Sequence, residues 1–301
     1  MTGQWIKFAV SVLCLAALLW WVDASSVFAM LQGVDVAWIA MGLLAITIST
    51  VAMAHRWQVV ASAFDVQITY RVALREYYLA QLVNMALPGG VAGDVTRAVR
   101  TRHQADLTRA AQSVMAERLL GQIAMVGFMS VGFALALLRP GGPDWGLVAW
   151  LVLAVVVGCV AVAAAISQTD TATGRFLTVT LRTMRQPVIA LHGTLTTISL
   201  VIAFYCCARA LDVTIPTAGW FTLIPLILCA MLVPLSIGGW GWREGAAAAL
   251  FPIIGAPASA GVAVGITYGL VVLLAALPAA FILVASPIFE TVSSKGKPDL
   301  P

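Results

Sequence analysis

The segment LVNMALPGGVAGDVTRAVRTR, residues 82–102, decides the fold of this chain. Its apolar run breaks at Pro88, Gly89 and Gly90, and three arginines follow within a dozen residues. A second segment, LCAMLVPLSIGGWGWREG at residues 228–245, breaks in the same manner. A helix needs about 20 apolar residues to cross a membrane. Each segment therefore stops short of a full crossing, turns on glycines and ends in charge.

The composition predicts an all-α polytopic membrane protein. The 301 residues are 61% hydrophobic and 10% charged, with a mean hydropathy of +0.97, whereas soluble domains carry about a quarter charged residues. The five cysteines lie in apolar runs without metal-ligand spacing, which favours buried small hydrophobes. No nucleotide loop, metal cluster or nucleophile elbow occurs in the sequence. We therefore expect no enzyme activity, no cofactor, no metal and no nucleic-acid partner.

Six apolar runs are long enough for full transmembrane helices: 5–22, 37–54, 119–138, 146–167, 188–208 and 261–286. The first run is long for a signal-peptide core and lacks a small-residue cleavage site, which predicts a retained helix. Two further apolar segments, 72–96 and 219–254, are interrupted by proline and glycine.

The basic residues favour two re-entrant hairpins. If Lys7 marks a cytoplasmic N-terminus, the loop 23–36 is external and carries only acidic charges. The arginines in the range 97–109 then stay on the cytoplasmic side only if the segment 72–96 enters the membrane and returns to the same side. By the same reasoning, the segment 219–254 enters the membrane from the external side and returns to it. A short crossing followed by a surface helix fits the charges as well. The loop after the second apolar run is then internal and contains Arg56, Arg71 and Arg75. With two hairpins, 14 of the 17 basic residues lie on the cytoplasmic side, and the exceptions are Arg139, Arg209 and Arg243.

The two broken segments also match each other at an offset of 146 residues. The identities are Leu82/Leu228, Met85/Met231, Pro88/Pro234, Gly93/Gly239 and Arg97/Arg243. The same offset superposes three pairs of spans. We predict an inverted-topology repeat with halves 1–140 and 146–286 and a cytoplasmic tail 287–301. Such repeats are typical of secondary transporters, whose broken helices mark the binding site. The alternative is a duplication that serves packing alone.

Residues near the breaks suit an anion. A helix that starts after a glycine turn presents free N–H groups and partial positive charge, and an arginine binds phosphate through its planar fork. Arg97 either binds such an anion or simply begins the basic loop, and Arg243 either binds it or pairs with Glu244. Asp94 is a candidate N-cap of the helix that carries Arg97.

Charges at the start of the third full span have two interpretations. Glu117 and Arg118 are interfacial, or Arg118 reaches a central cavity while Glu117 orients it or takes protons. Asn84 is a candidate cavity residue. The predicted substrate-binding set is Asn84, Pro88, Gly89, Gly90, Gly93, Asp94, Arg97, Glu117, Arg118, Ser236, Gly238, Gly239, Arg243 and Glu244.

Three motifs resemble the membrane region of the lysylphosphatidylglycerol synthase/flippase family, also called the flippase-like or uncharacterised protein family 0104. They are NMALPGGVAGDVTRAVR (84–100), ERLLG (117–121) and PLSIGGWGWREG (234–245). Ala92 departs from the paired glycines that the first motif usually has. The resemblance spans nearly the whole chain.

The resemblance implies lipid transport. Family members are implicated in moving aminoacylated phosphatidylglycerol, hopanoid-type lipids or polyprenyl-linked sugars between leaflets. Lysyl-transferring members carry a large C-terminal synthase domain, and because this sequence ends soon after its last span, we expect transport and not synthesis. We expect a flippase for a phosphate-bearing lipid in the bacterial inner membrane, with both termini cytoplasmic and a homo-oligomer or a lipid-biosynthesis enzyme as possible partners. The alternative is a non-transporting accessory subunit of a glycolipid- or hopanoid-assembly enzyme.

Overall fold

The computed structural model describes residues 20–21, 24–86, 91–138, 145–231 and 239–285. These residues form an all-α protein without β-strands in the described ranges. The helices are α1 (Ala24–Gln32), α2 (Val36–Ala63), α3 (Tyr70–Ala86), α4 (Ala92–Thr101), α5 (Leu107–Leu138), α6 (Gly146–Ser167), α7 (Ala172–Met184), α8 (Pro187–Ala210), α9 (Thr217–Phe221), α10 (Leu223–Ala230), α11 (Trp242–Leu250), α12 (Ala258–Ala276) and α13 (Pro278–Ala285). Short 3₁₀ helices follow α4 and α11.

Five apolar helical segments are long enough to cross a membrane, and each contains or overlaps one of the six predicted spans. They are Val36–Ala63, Leu107–Leu138, Gly146–Ser167, Pro187–Ala210 and Ala258–Ile282. The all-α polytopic membrane fold is thus confirmed. The remaining predicted span, 5–22, lies almost wholly outside the described residues.

Two helices extend well beyond their apolar runs, and this corrects two expectations. Arg56 lies inside α2 and is buried, so its predicted loop position is wrong. Glu117 and Arg118 do not open a helix, because α5 begins ten residues earlier at Leu107. The hydropathy pattern places the ends of both spans at charged residues. The two helices continue past these residues because each buried charge has a partner of opposite sign.

α2 and α8 end in the same way, 147 residues apart. In each Schellman motif an aspartate, Asp65 or Asp212, adopts the left-handed conformation with φ 61° or 58°. The following N–H groups donate to Ala61 O and Ala208 O at 2.9 Å in both motifs. The sequences ASAFDVQI (61–68) and ARALDVTI (208–215) share five of eight residues. This match adds a second pair of equivalent segments to the predicted repeat.

The same two helices pack antiparallel at the centre of the fold. At one end the Asp35 N–H donates to Ala210 O at 2.9 Å. At the other end the rings of His55 and His192 lie 4.5 Å apart. Two equivalent helices that run in opposite directions are what a two-fold axis in the membrane plane produces. The inverted repeat itself stays a prediction.

α3 and α4 form a helical hairpin. The Gly93 N–H near the start of α4 bonds Asn84 Oδ1 near the end of α3 at 2.7 Å, and Arg100 Nε lies 2.7 Å from Glu76 Oε2 further along both helices. These pairings make the two helices antiparallel. Gly93 packs directly against the Ala80 backbone, where a Cβ atom would collide.

After this hairpin, the chain returns to the end of the helix bundle at which α2 ends. Asp65 follows α2 and Arg109 lies in the first turn of α5, yet their side chains form an ion pair at 2.9 Å. Phe64 also contacts Phe176 of α7, with ring centroids 5.9 Å apart. The segments predicted to be cytoplasmic thus cluster at one end of the helices.

α11 packs on α12 through a stripe of glycines. Gly261, Gly265 and Gly269 recur every four residues along α12 and face Ala247, Glu244 and Arg243 respectively. Small residues at this spacing let two helices approach closely in a membrane. The stripe therefore sets how closely α11 approaches α12.

Cysteine labelling tests the predicted topology. In a background without the five native cysteines, single cysteines at 24–34 and 141–144 should react with an impermeant reagent from outside. Those at 101–108 and 170–186 should react only from inside, because these segments carry the basic charges. Positions 141–144 lie outside the described residues. External labelling at 101–108 would contradict the first re-entrant hairpin.

Candidate functional site

A cavity of about 320 Å³ lies between the two halves of the chain. Helices α2, α3, α4 and α5 of the first half line it, together with α8, α10 and α12 of the second. All the charged residues of its described lining come from the first half: Arg56, Asp94, Arg97, Glu117 and Arg118. The second half contributes mainly apolar side chains: Leu200, Leu228, Cys229, Met231 and Val272.

Glu117 is the centre of the charged wall. Its carboxylate is fully buried and accepts hydrogen bonds from Arg56 at 2.6 and 3.1 Å, with Arg97 at 3.4 Å. The Tyr77 hydroxyl lies 3.2 Å from both carboxylate oxygens. Gly121, one turn further along α5, leaves the space that the Arg56 guanidinium occupies. One carboxylate thus joins α2, α3, α4 and α5.

Arg97 is oriented mainly by aromatic rings. Its guanidinium carbon lies 4.3 Å from the Trp57 ring centroid and 4.6 Å from that of Tyr77, within the range of cation–π contacts. Its carboxylate contacts are long, at 3.4 Å to Glu117 and 3.5 Å to Asp94. Its Nε has no hydrogen-bond partner among the described residues. Arg97 therefore retains unused capacity to donate hydrogen bonds.

Asp94 pairs with arginines and does not cap its helix, contrary to the prediction. Val91 occupies the N-cap position of α4, while Asp94 lies 2.6 Å from Arg118. A side chain of α3 instead bonds a free backbone N–H group in the first turn of α4, because Asn84 accepts the Gly93 N–H. The Arg118 side chain is 42% exposed and completes the wall.

The charged wall carries one excess positive charge. Of the described lining residues, three are arginines, Arg56, Arg97 and Arg118, and only two, Asp94 and Glu117, carry carboxylates. An arginine in the apolar interior of a membrane costs about 2.5–3.5 kcal/mol even on insertion scales. An unbalanced positive charge on a cavity wall therefore favours an anion.

Arg243 and Glu244 form a second, enclosed ion pair. Both side chains are fully buried, Arg243 Nη2 donates to Glu244 Oε1, and Glu244 Oε2 accepts the Gly241 N–H at 2.6 Å. The rings of Trp240 and Tyr268 lie 5.0 and 5.6 Å from the guanidinium carbon. Neither charged residue belongs to the described lining of the cavity, although Gly239 and Tyr268 do. The expectation that Arg243 faces the cavity is therefore not met, since its neighbours close around it.

The family model described as lysylphosphatidylglycerol synthase TM region matches residues 4–280. The chain belongs to this family. No curated protein matches the chain. Membership in the lysylphosphatidylglycerol synthase TM region family agrees with the helices described above and indicates a multi-pass membrane protein with a lipid-related function.

The structure brings together part of the predicted site of this family member. Asn84, Asp94, Arg97, Glu117, Arg118 and Gly239 line the cavity. Gly93 serves helix packing, and Gly239 adopts φ 84°, which a turn glycine tolerates. The predicted site residues outside the described residues are Pro88, Gly89, Gly90, Ser236 and Gly238.

Sequence reasoning missed several lining residues, chiefly Arg56, Tyr77, Thr196 and Thr197. The signal for Arg56 is a single arginine within AMAHRWQVVASAF, an apolar segment that continues to Phe64. A charge with apolar sequence on both sides indicates a buried, partnered residue in a membrane protein. The hydroxyls gave no comparable signal, because serine and threonine are common in transmembrane helices.

Proposed function

We propose that the chain is a lipid flippase and not an enzyme: it moves an anionic, phosphate-bearing lipid between leaflets by alternating access. One observation carries the proposal. The cavity wall holds three arginines against two carboxylates, so its charge is balanced only when an anion is bound. We place the protein in a bacterial inner membrane with both termini cytoplasmic.

Arg97 is the proposed phosphate ligand. It lines the cavity, its Nε lacks a partner in the described part of the chain, and both of its carboxylate contacts are long. A phosphate offers several oxygens at the geometry of a guanidinium fork. Contacts with the rings of Trp57 and Tyr77 hold the Arg97 guanidinium in place before the ligand arrives, which lowers the ordering cost of binding.

The distribution of polarity fits an amphiphile. Charged residues of α2, α4 and α5 suit the phosphate, while Leu228 and Met231 near the second break and Val272 of α12 present apolar surface. A cavity of about 320 Å³ is at the small end of ligand pockets. It suits a headgroup, with the hydrocarbon chains in the surrounding bilayer.

Transport by the purified chain tests the proposal. Liposomes with wild-type protein should exchange a fluorescent anionic phospholipid between leaflets, and Arg97→Gln should lose most of this activity. A hydrogen bond to a charged group contributes about 1.5–3 kcal/mol, so lipid binding should weaken roughly 10- to 100-fold. Arg97→Lys should recover part of it, since the charge remains without the fork.

Arg182→Gln is the matched control. Arg182 is an exposed arginine on α7 outside the described cavity lining, so its loss should leave transport unchanged. Full transport by Arg97→Gln would contradict the phosphate site. Lipid binding without any transport by wild type would contradict the flippase and favour an accessory subunit.

A further inference from the structure

Uncharged polar side chains form a second part of the cavity wall. Beside the arginines, the lining contains Ser49, Gln81, Asn84, Gln122, Thr196 and Thr197. Hydroxyl and amide groups both donate and accept hydrogen bonds, as do the hydroxyls of a polyol. A phosphate needs only donors, so these side chains exceed what a phosphate alone requires.

The hydroxyls are concentrated where α2 and α8 cross. Ser49 and Thr196 occupy equivalent positions in the segments TISTV (47–51) and TLTTI (194–198), again 147 residues apart. Both line the cavity. In an inverted repeat, equivalent residues near the axis stay close to it while the two halves exchange conformations. A ligand group at this crossing therefore meets hydroxyls whichever way the cavity opens.

Thr196 has a buried hydroxyl without a partner. The residue is 4% exposed, and its Oγ1 forms no hydrogen bond among the described residues. Ser49, by contrast, donates to Ile46 O at 2.7 Å. Buried polar atoms are nearly always hydrogen-bonded, and an unpaired one destabilises the fold. A hydroxyl on a bound ligand would supply the missing partner.

Among the described residues, the cavity lining offers no free carboxylate to a cationic headgroup. Glu117 is surrounded by Arg56, Arg97 and Tyr77, and Asp94 bridges two arginines. The sequences of the two breaks outside the described residues, LPGG (87–90) and LVPLSIG (232–238), contain no acidic residue. A ligand ammonium group would thus lie near arginines without a counterion, which disfavours its binding.

We infer that the transported lipid carries an uncharged polyhydroxyl headgroup, such as glycerol or a sugar, joined through one phosphate, and that amine headgroups are rejected. This inference rests on the proposed function and assigns the hydroxyl and amide wall to the headgroup. The arginines bind the phosphate, and Thr196 binds a headgroup hydroxyl.

Binding of three lipids with identical acyl chains to the purified full chain in detergent tests the inference. The probes are phosphatidylglycerol, phosphatidylethanolamine and phosphatidic acid. Phosphatidylglycerol should bind at least roughly tenfold more tightly than phosphatidylethanolamine, because the ammonium lacks a counterion. Equal binding of these two lipids would overturn the inference.

Thr196→Val isolates the hydroxyl. Valine has nearly the same shape, and because the Thr196 hydroxyl has no partner among the described residues, the melting temperature should stay the same or rise. The Kd for phosphatidylglycerol should increase roughly fivefold, whereas that for phosphatidic acid should change less than about twofold. Thr194→Val, on the exposed face of the same helix, is the matched control and should change neither. An equal increase in the Kd of both lipids in Thr196→Val would overturn the assignment of Thr196 to the headgroup.

Two further measurements separate this inference from the proposed function. Arg97→Gln should weaken the binding of phosphatidylglycerol and of phosphatidic acid to the same extent. Unchanged binding of both lipids would overturn the anion site itself. Soluble sn-glycerol 3-phosphate at equal concentration should not displace phosphatidylglycerol, and full displacement would overturn a lipid as the occupant. Loss of selectivity against the amine, with the Arg97 effect intact, would overturn only the headgroup inference.

Discussion

Glu117→Gln should destabilise the protein by roughly 3–5 kcal/mol, the usual consequence of removing one partner from a buried ion pair. Glu117 is fully buried and bonds Arg56, Arg97 and Tyr77, which come from three other helices. Without its charge, Arg56 loses the counterion that lies 2.6 Å away. The midpoint of thermal unfolding in detergent and the yield of monodisperse protein measure the loss.

Two comparisons make this expectation specific. Asp106→Asn removes a carboxylate that pairs with Arg109 at the exposed start of α5, and surface pairs contribute only about 0–1 kcal/mol. The double variant Arg56→Gln with Glu117→Gln should be more stable than Glu117→Gln alone, because neither charge is left unpaired. A Glu117→Gln protein as stable as wild type would show that the carboxylate does not join these helices.

Hydropathy was sufficient to predict the all-α polytopic membrane fold and the approximate places of its five long apolar helical segments. Apolar runs define the five long helical segments, because a lipid-facing helix must be apolar over its length. The break at 87–90 predicted the hairpin of α3 and α4. The helix ends were predicted poorly, since hydropathy treats every arginine as a loop residue. α2 passes through Arg56 because a carboxylate 61 positions away neutralises it.

The site was predictable in its residue types but not in its pairings. Charge near breaks or span ends predicts Arg97, Glu117 and Arg118 as site residues, and all three line the cavity. Sequence spacing suggested that Asp94 caps its own helix, yet Asn84 from the neighbouring helix takes that role. Which carboxylate meets which arginine depends on how helices cross, and no local pattern encodes it.

Arg97 and Arg243 match in sequence position within the two broken segments, but their surroundings differ. Each follows a glycine by four residues and each contacts aromatic rings. Arg97 takes its counterions from Asp94 and from another helix, whereas Arg243 is paired with its own neighbour Glu244. Arg97 belongs to the described lining of the cavity and Arg243 does not, so the two arginines should respond differently to the same substitution.

Arg243→Gln should therefore lose folded protein, with a destabilisation of roughly 3–5 kcal/mol, because Glu244 is left buried without its cation. The vacated space beside Gly269 and the rings of Trp240 and Tyr268 adds lost packing. Arg243→Lys should recover only part of the stability, since lysine lacks the planar fork. Thermal unfolding in detergent measures each change.

Arg97→Gln provides the contrast that decides between a structural and a ligand-binding arginine. Removing Arg97 leaves two arginines and two carboxylates on the cavity wall, so its charge becomes balanced and the fold should survive. We thus expect folded but inactive protein from Arg97→Gln. The fraction of Arg243→Gln that remains folded should transport at close to the wild-type rate per molecule. Folded Arg243→Gln protein with normal stability but no lipid binding would instead put Arg243 in the substrate site.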